Sequence, residues 1–386
     1  MTGGKAFEWK VALILFGVLF LGVSDTQLVF PLLPSITQEF GVSPGQTGII
    51  VTSYSLAAAV FALFAGPLSD QLGRKKVLTG GLALFTAASF STQHVTTFGA
   101  LIIARTFTGF AAGTLSTCAL SFAGDYYSYK ERGRAMGILT MSYFIAFVIS
   151  APVAALIAPR KGWQSMFGAL AAFAAGIFFI ALWKLPETPR TAGVRLGLPS
   201  FHLHFKKPDR LAGMAAAFLT SGGLVGYLTY ISQWLTNERG IALNRVALIF
   251  MISGIAAVAA SPLSGWLADH AGKRNVIVWT NLLLAPVFVI VARLEWGALL
   301  WIGIAILGIA ASARQGPLHA LTTEIVGSEI RGEYTAVRNA ASQIGIALAA
   351  AISGYAYDTY RFAGVSLVAA AFTALIPVSC IWLRER

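Results

Sequence analysis

Asp25 is the one acidic side chain deep inside a long apolar run, in the stretch GVSDTQLVFPLLP, and Arg105, Arg314 and Arg338 lie inside other apolar runs. An ionised group in hydrocarbon costs several kcal/mol unless it is paired, so these four charges are the first candidates for chemistry. Desolvation and a neighbouring guanidinium push a buried acid's proton affinity in opposite directions. An acid–arginine pair whose access to water opens and closes can therefore take up and release a proton, as coupling to a proton gradient requires. Asp25 and Arg105, at matching depths, are the candidates for that pair. At ~1.5 Å per residue, Asp25 lies ~12 Å below the outer end of its helix and Arg105 ~10 Å below the outer end of its own. The other reading is a fixed ion pair that joins two helices.

A second set could hold a substrate. Arg314 and Arg338 have Gln315, His319 and Asn339 close in sequence, a grouping that can attract a carboxylate or an anionic headgroup. Snorkelling of the arginines to the interface is the alternative. Thr220, Gly223, Tyr227, Tyr230 and Trp234 share one helix face by three- and four-residue spacing, where the aromatic rings could stack on an amphipathic ligand or simply pack. Gln27, two residues beyond Asp25, joins Tyr227, Tyr230, Trp234, Arg314, Arg338 and Asn339 as an expected substrate contact.

The elements that must position these residues are membrane helices. The chain has 386 residues, 56% apolar and 11% charged, against ~25% charged in globular proteins; an ordinary soluble enzyme is excluded. Apolar runs of about 20 residues, each enough to cross ~30 Å of hydrocarbon, begin with Val11 to Leu33. They continue at about 46–67, 77–94, 98–120, 134–157, 163–185, 210–233, 244–267, 276–293, 297–319, 334–356 and 362–383. The first run follows Lys5 and Lys10, has no small-residue cleavage site, and is expected to be a retained helix.

The net charge of +12 would suit a nucleic-acid binder if the cations were clustered. With the amino terminus placed in the cytoplasm, 19 Lys and Arg fall on that side, 6 on the other and 3 inside helices. The charge is thus a topology signal, with both termini cytoplasmic, and no nucleic-acid partner is expected. Cys118 and Cys380 lie in apolar runs, and His202 and His204 read as part of a solvated linker, so neither a disulfide nor a metal is expected. No G-x-x-x-x-G-K-S/T loop is present, and no cluster of nucleophile and base marks a membrane enzyme.

The chain repeats itself. Gly66, Leu68, Asp70 and Gly73 in GPLSDQLGRKK recur as Gly265, Leu267, Asp269 and Gly272 in GWLADHAGKRN, 199 residues later. The same offset relates Glu39 and Gly41 to Glu238 and Gly240, Gly109 to Gly308, Asp125 to Glu324, and Arg132 and Gly133 to Arg331 and Gly332. Such a constant offset implies duplication of a six-helix unit. Asp25 maps to Leu224 and Arg105 to Ile304, so the chemistry-bearing pair has no counterpart.

These residues resemble the major facilitator superfamily. Its G-x-L-x-D-x-x-G-R/K-R/K loop matches Gly66 to Lys75, and further matches are Arg105-x-x-x-Gly109, Arg132-Gly133-Arg134 and Pro186-Glu187-Thr188. Within the superfamily the chain looks most like the twelve-helix drug:proton antiporters, although the fifth-helix pattern G-P-x-x-G-G is here Ala151-Pro152-Val153-Ala154-Ala155. The resemblance implies an all-α integral membrane protein of twelve transmembrane helices in two pseudo-symmetric six-helix bundles. Residues 1–185 and 210–386 are the expected bundles, joined by a cytoplasmic linker, 186–209, whose basic residues can touch lipid.

The resemblance also implies a cavity lined by helices one, four, seven and ten, with Asp25 and Arg105 facing it. It implies a cytoplasmic gate of Asp70, Arg74 and Asp125, with Asp70 set against the eleventh helix near Tyr334, and a mirror set of Asp269, Lys273 and Glu324. Arg132 and Arg331 belong to the same gate. Gly66 is expected to permit close helix packing and Gly73 a tight turn. The expected function is proton-coupled efflux of a small amphipathic or anionic organic compound through the bacterial inner membrane, by a monomer without cofactors. Proton-linked or facilitated uptake is the alternative.

Overall fold

In hydrocarbon every backbone N–H and C=O must be met within the chain, so long apolar segments become helices. The computed structural model describes residues 7–187, 204–327 and 330–383, and these are almost wholly helical with no strand among them. The elements in chain order are α1 (Trp9–Phe40), α2 (Pro44–Thr47), α3 (Ile49–Leu72), α4 (Arg74–Gln93), α5 (Phe98–Tyr126), α6 (Tyr129–Lys161) and α7 (Gln164–Lys184). The second half has α8 (Pro208–Gln233), extended by a π turn at Trp234–Glu238, then α9 (Leu243–Ala271), α10 (Lys273–Arg293), α11 (Ala298–Ala313), α12 (Gln315–Glu324) and α13 (Arg331–Ser379).

Among the described residues, ten helical segments are long and apolar enough to cross a membrane. Two features separate that number from the twelve expected. Helix α4 is 20 residues long but rich in Thr, Ser and Gly, which lowers its hydropathy. The 49-residue α13 breaks at Arg361, where φ is 58° and ψ is −159°. The break falls between the expected runs 334–356 and 362–383.

The first helix is longer than its apolar run suggested. Pro31 and Pro34 lie inside α1 without ending it, and the helix continues to Phe40. A proline removes one intrahelical hydrogen bond but is tolerated where neighbouring helices support the segment. Asp25 therefore sits mid-helix, roughly 22 Å from the Phe40 end rather than ~12 Å. Most of the expected linker, residues 188–203 with His202 among them, lies outside the described residues, and Pro208 begins α8. His204 is not a solvated linker residue but is buried against the Tyr334 ring, with Nε2 3.4 Å from Glu333 Oε1.

The 199-residue repeat is visible in tertiary contacts as well as in sequence. Gly73 (φ 99°) separates α3 from α4, and its counterpart Gly272 (φ 86°) separates α9 from α10. Positive φ at these corners suits glycine because it has no Cβ. Gly109 lies against the backbone of Tyr54, and Gly308 against the backbone of Ser253, at the same offset. One turn later Gly113 approaches the backbone of Ala58, and Ser312 Oγ donates to the carbonyl of Ala257 at 2.7 Å. Glu39 accepts from Trp163 Nε1 at 2.6 Å, while Glu238 accepts from the Phe362 N–H at 3.2 Å.

Gly66 is different. A Cβ there would meet Thr117 Cγ2 at 3.9 Å, an ordinary contact, so the expectation that this glycine permits close packing does not hold. The contrast gives a test. Gly109→Ala is expected to cost ~1–3 kcal/mol through overpacking, read as a lower melting temperature of the detergent-purified protein, whereas Gly66→Ala leaves that temperature within error.

Candidate functional site

Asp25 of α1 and Arg105 of α5 meet in the interior of the first half. Arg105 Nη1 donates to Asp25 Oδ1 at 2.7 Å and Nη2 to Oδ2 at 2.8 Å, a two-point pair with 0% and 2% of the respective side chains exposed. The guanidinium carbon lies 4.7 Å from the centre of the Tyr54 ring and 5.4 Å from that of Phe167. Four helices therefore enclose one charge pair. The backbone of Tyr54 is also what Gly109 touches, one turn beyond Arg105 on α5. Glycine at that point brings α3 close enough for the Tyr54 ring to cover the arginine. Sequence reasoning missed Tyr54 and Phe167, since no spacing rule links three helices.

The second half holds its arginines differently. Arg314 lies at the break between α11 and α12 and is fully buried. Its Nη1 donates to Asn281 Oδ1 at 2.6 Å and its Nη2 to the Thr220 carbonyl at 3.2 Å; both partners are neutral. Its Nε and the Thr220 hydroxyl are buried with no hydrogen-bond partner. Arg338 on α13 donates from Nη1 to His319 Nδ1 at 3.1 Å, and its own Nε is likewise unpartnered. Asn339, beside it, is half-buried, and Gln27 is buried on α1. Neither arginine snorkels to a water-exposed position.

The aromatic face of α8 is packed. Tyr227 lies 4.6 Å from the Phe288 ring and 4.9 Å from Phe362, and Trp234 stacks on Phe362 at 4.6 Å. Tyr230 stacks on Tyr357 at 5.5 Å and donates to the Ala350 carbonyl at 3.0 Å. All three rings are buried within the core of the second half, whereas the Tyr227 hydroxyl has no partner.

The repeated charges lie at the end of the bundle near Glu8. Arg74 contacts Asp70 and reaches Asp125 Oδ2 from Nε at 2.9 Å and Ser69 Oγ from Nη1 at 2.5 Å. In the mirror set Lys273 and Glu324 pair at 2.5 Å. Asp269, however, is exposed and outside that pair, as is Arg132 in the first half. Arg331 begins α13, but its side chain lies outside the described residues. Tyr334 donates its hydroxyl to the Arg210 carbonyl at 3.1 Å.

At the opposite end the two halves are joined. Asp358 of α13 accepts from Ser43 Oγ at 2.6 Å and from the Gly45 N–H at 2.9 Å, at the start of α2. Gln233 donates to Thr37 Oγ1 at 2.5 Å, and Thr52 to the Ala347 carbonyl at 3.2 Å. Gly254 of α9 sets its Cα hydrogen toward α6, where a Cβ would stand 3.1 Å from the backbone of Phe147 and Val148. Small residues thus bring the fifth-helix region against the other half, with the glycine supplied from α9.

A duplicated helical bundle with charges buried midway along it is the architecture of a secondary transporter rather than an enzyme. The Major Facilitator Superfamily profile matches residues 15–242 and 213–386, and the chain belongs to that family. It is 25% identical over 362 residues to the uncharacterized MFS-type transporter YbcL of Bacillus subtilis, covering 94% of this chain and 92% of the relative. It is 24% identical over 362 residues to the gallate transporter of Pseudomonas putida, covering 84% and 80%. Its fold superposes on the crystal structure of a D-xylose-proton symporter with a TM-score of 0.79 over 98% of both chains, at 14% identity.

The Asp25–Arg105 geometry predicts strong non-additivity. Asp25→Ala leaves a buried guanidinium without its acceptor and is expected to cost ~3–5 kcal/mol. The double variant Asp25→Ala/Arg105→Leu is expected to recover part of that loss, measured as thermal stability of the purified protein in a double-mutant cycle.

Proposed function

We propose that the protein is a twelve-helix, proton-coupled transporter of a small organic anion in the bacterial inner membrane. In this reading α4 also crosses the bilayer and α13 crosses twice, on either side of Arg361. Residues 1–185 and 210–386 then move as two bundles about a midplane site.

The observation that carries the substrate class is the charge imbalance between the halves. Arg105 is neutralised by Asp25, whereas Arg314 bonds to an amide and a peptide carbonyl and Arg338 to an imidazole. Two guanidinium groups without a carboxylate favour a ligand that carries one. Similarity to a gallate transporter supports the same class. Gln27 and Asn339 are the neutral polar contacts, and Tyr227, Tyr230 and Trp234 shape the apolar wall behind them.

Proton coupling is assigned to Asp25. Its carboxylate is sealed from water and doubly bonded to Arg105; a proton delivered when water reaches it would release the arginine and loosen the joint between α1 and α5. Asp70, Arg74 and Asp125, with Asp269, Lys273, Glu324, Arg132 and Arg331, form the cytoplasmic gate. Gly73 holds its corner. The joined end at Asp358, Ser43 and Gly45 then faces outward and is closed.

Export is the direction implied by the antiporter resemblance, supported by the small-residue contact between α6 and α9. Uptake has a separate argument, given by the chemistry of His319 below.

Inside-out vesicles are the test. Benzoate movement is expected to respond to an imposed pH difference in the wild type, with its direction relative to the proton gradient separating export by exchange from uptake. Asp25→Asn is expected to remove the response at least tenfold while exchange of benzoate for benzoate persists. Unaltered gradient-driven transport in that variant would overturn the coupling role.

A further inference from the structure

The gate and the Asp25–Arg105 pair leave unused a contact between two titratable side chains, His319 of α12 and Arg338 of α13. We propose that Arg338 and His319 form a carboxylate-recognition site that takes up one proton together with the anion. The proposal rests on the organic-anion reading and adds a residue, His319, and a stoichiometry to it.

The hydrogen bond between the two side chains fixes the imidazole's form. An arginine has only donors, so His319 Nδ1, 3.1 Å from Arg338 Nη1, must offer its lone pair. The imidazole is then neutral with its proton on Nε2. Adding a proton to Nδ1 replaces the acceptor by a second donor aimed at a guanidinium, which is repulsive by itself. A carboxylate set between them reverses the sign. It accepts from both the protonated imidazole and the guanidinium, and each bond becomes charge-assisted. One negative charge and one proton have then been added, and the net charge of the site is unchanged.

The surroundings fit such a ligand. His319 is exposed within a membrane-spanning segment, and Arg338 is 97% buried with Nε unpartnered. Among the described residues, these neighbouring groups are engaged. Arg314 is turned to Asn281 and Thr220; Glu324 is paired with Lys273 of α10; Glu333 faces His204; and Tyr334, one turn before Arg338, donates to the backbone of Arg210 on α8. Arg338 faces the imidazole. Because anion and proton favour each other's binding, this site moves them in the same direction, which is the chemistry of uptake with protons.

Benzoate and its uncharged analogue benzamide are suitable probes, since a carboxylic acid of this kind is ionised above roughly pH 5. Added to the full-length detergent-purified protein in weak buffer near pH 6.5, benzoate is expected to draw protons from solution, and benzamide is not. Benzoate is also expected to bind about tenfold more tightly at pH 5.5 than at pH 8, the size of one charge-assisted hydrogen bond. His319→Gln is expected to abolish the proton uptake and the pH ratio while still binding benzoate; Arg338→Ala loses benzoate at both pH values. Stabilisation by benzoate and benzamide alike, or by neither, overturns the site, as does a wild-type pH ratio in His319→Gln. Gradient-driven transport in vesicles reads the Asp25 role, and benzoate-linked proton uptake in His319→Gln and Arg338→Ala reads this site, so the two fail separately.

Discussion

A guanidinium held in a hydrocarbon-facing protein keeps several N–H donors that water can no longer satisfy, and every neighbouring element must answer to them. Arg105 is met by both oxygens of Asp25 and covered by the rings of Tyr54 and Phe167. Meeting those donors fixes where α1, α3, α5 and α7 stand relative to one another. The pair is also self-neutralising, so the first half carries no uncompensated charge at this point. Arg314 and Arg338 are answered by an amide, a peptide carbonyl and an imidazole, which satisfy hydrogen bonds but leave the positive charge in place. One buried guanidinium thereby meets a carboxylate, and the other two meet neutral groups.

That asymmetry is carried on a symmetric frame. Close backbone approaches at Gly109 and Gly308, positive-φ corners at Gly73 and Gly272, and carboxylate contacts at Glu39 and Glu238 repeat at one offset. They set helix spacing and direction, tasks that both halves must perform alike. Asp25 and Arg105 stand where the second half has Leu224 and Ile304, and Arg314 and Arg338 have no acid in register with them. Duplication supplied the scaffold, and divergence within it made the two halves chemically distinct.

The two ends of the bundle are also held by different means. Near Glu8, Arg74 gathers Asp70, Asp125 and Ser69 from its own half. At the opposite end Asp358 reaches across to the start of α2, and Gln233 and Thr52 make further bonds between halves. The first set ties helices of one half together, and the second ties the two halves to each other, with exposed members contributing little individually.

How much was legible beforehand depended on the range of the interaction. Apolar runs of bilayer length, the 199-residue offset and the lone deep acid at Asp25 are local or periodic facts, and they gave the helical class and the duplication; setting Arg105 opposite Asp25 needed the family resemblance as well. Boundaries were less legible, because Pro31 and Pro34 break an isolated helix but not one supported on all sides, and α1 runs on to Phe40. Gly66 was assigned a packing role from its residue type alone; what surrounds it, a methyl 3.9 Å from where its Cβ would be, is a property of another helix. The aromatic face of α8 was correctly read as one face, but only packing against Phe288 and Phe362 determined that its rings lie in a core. Sequence by itself determined which charges had to be solved for, since the cost of placing them in hydrocarbon is intrinsic to each residue. Tertiary structure alone decided which of them were neutralised, because a partner is chosen by distance in space and not by distance along the chain.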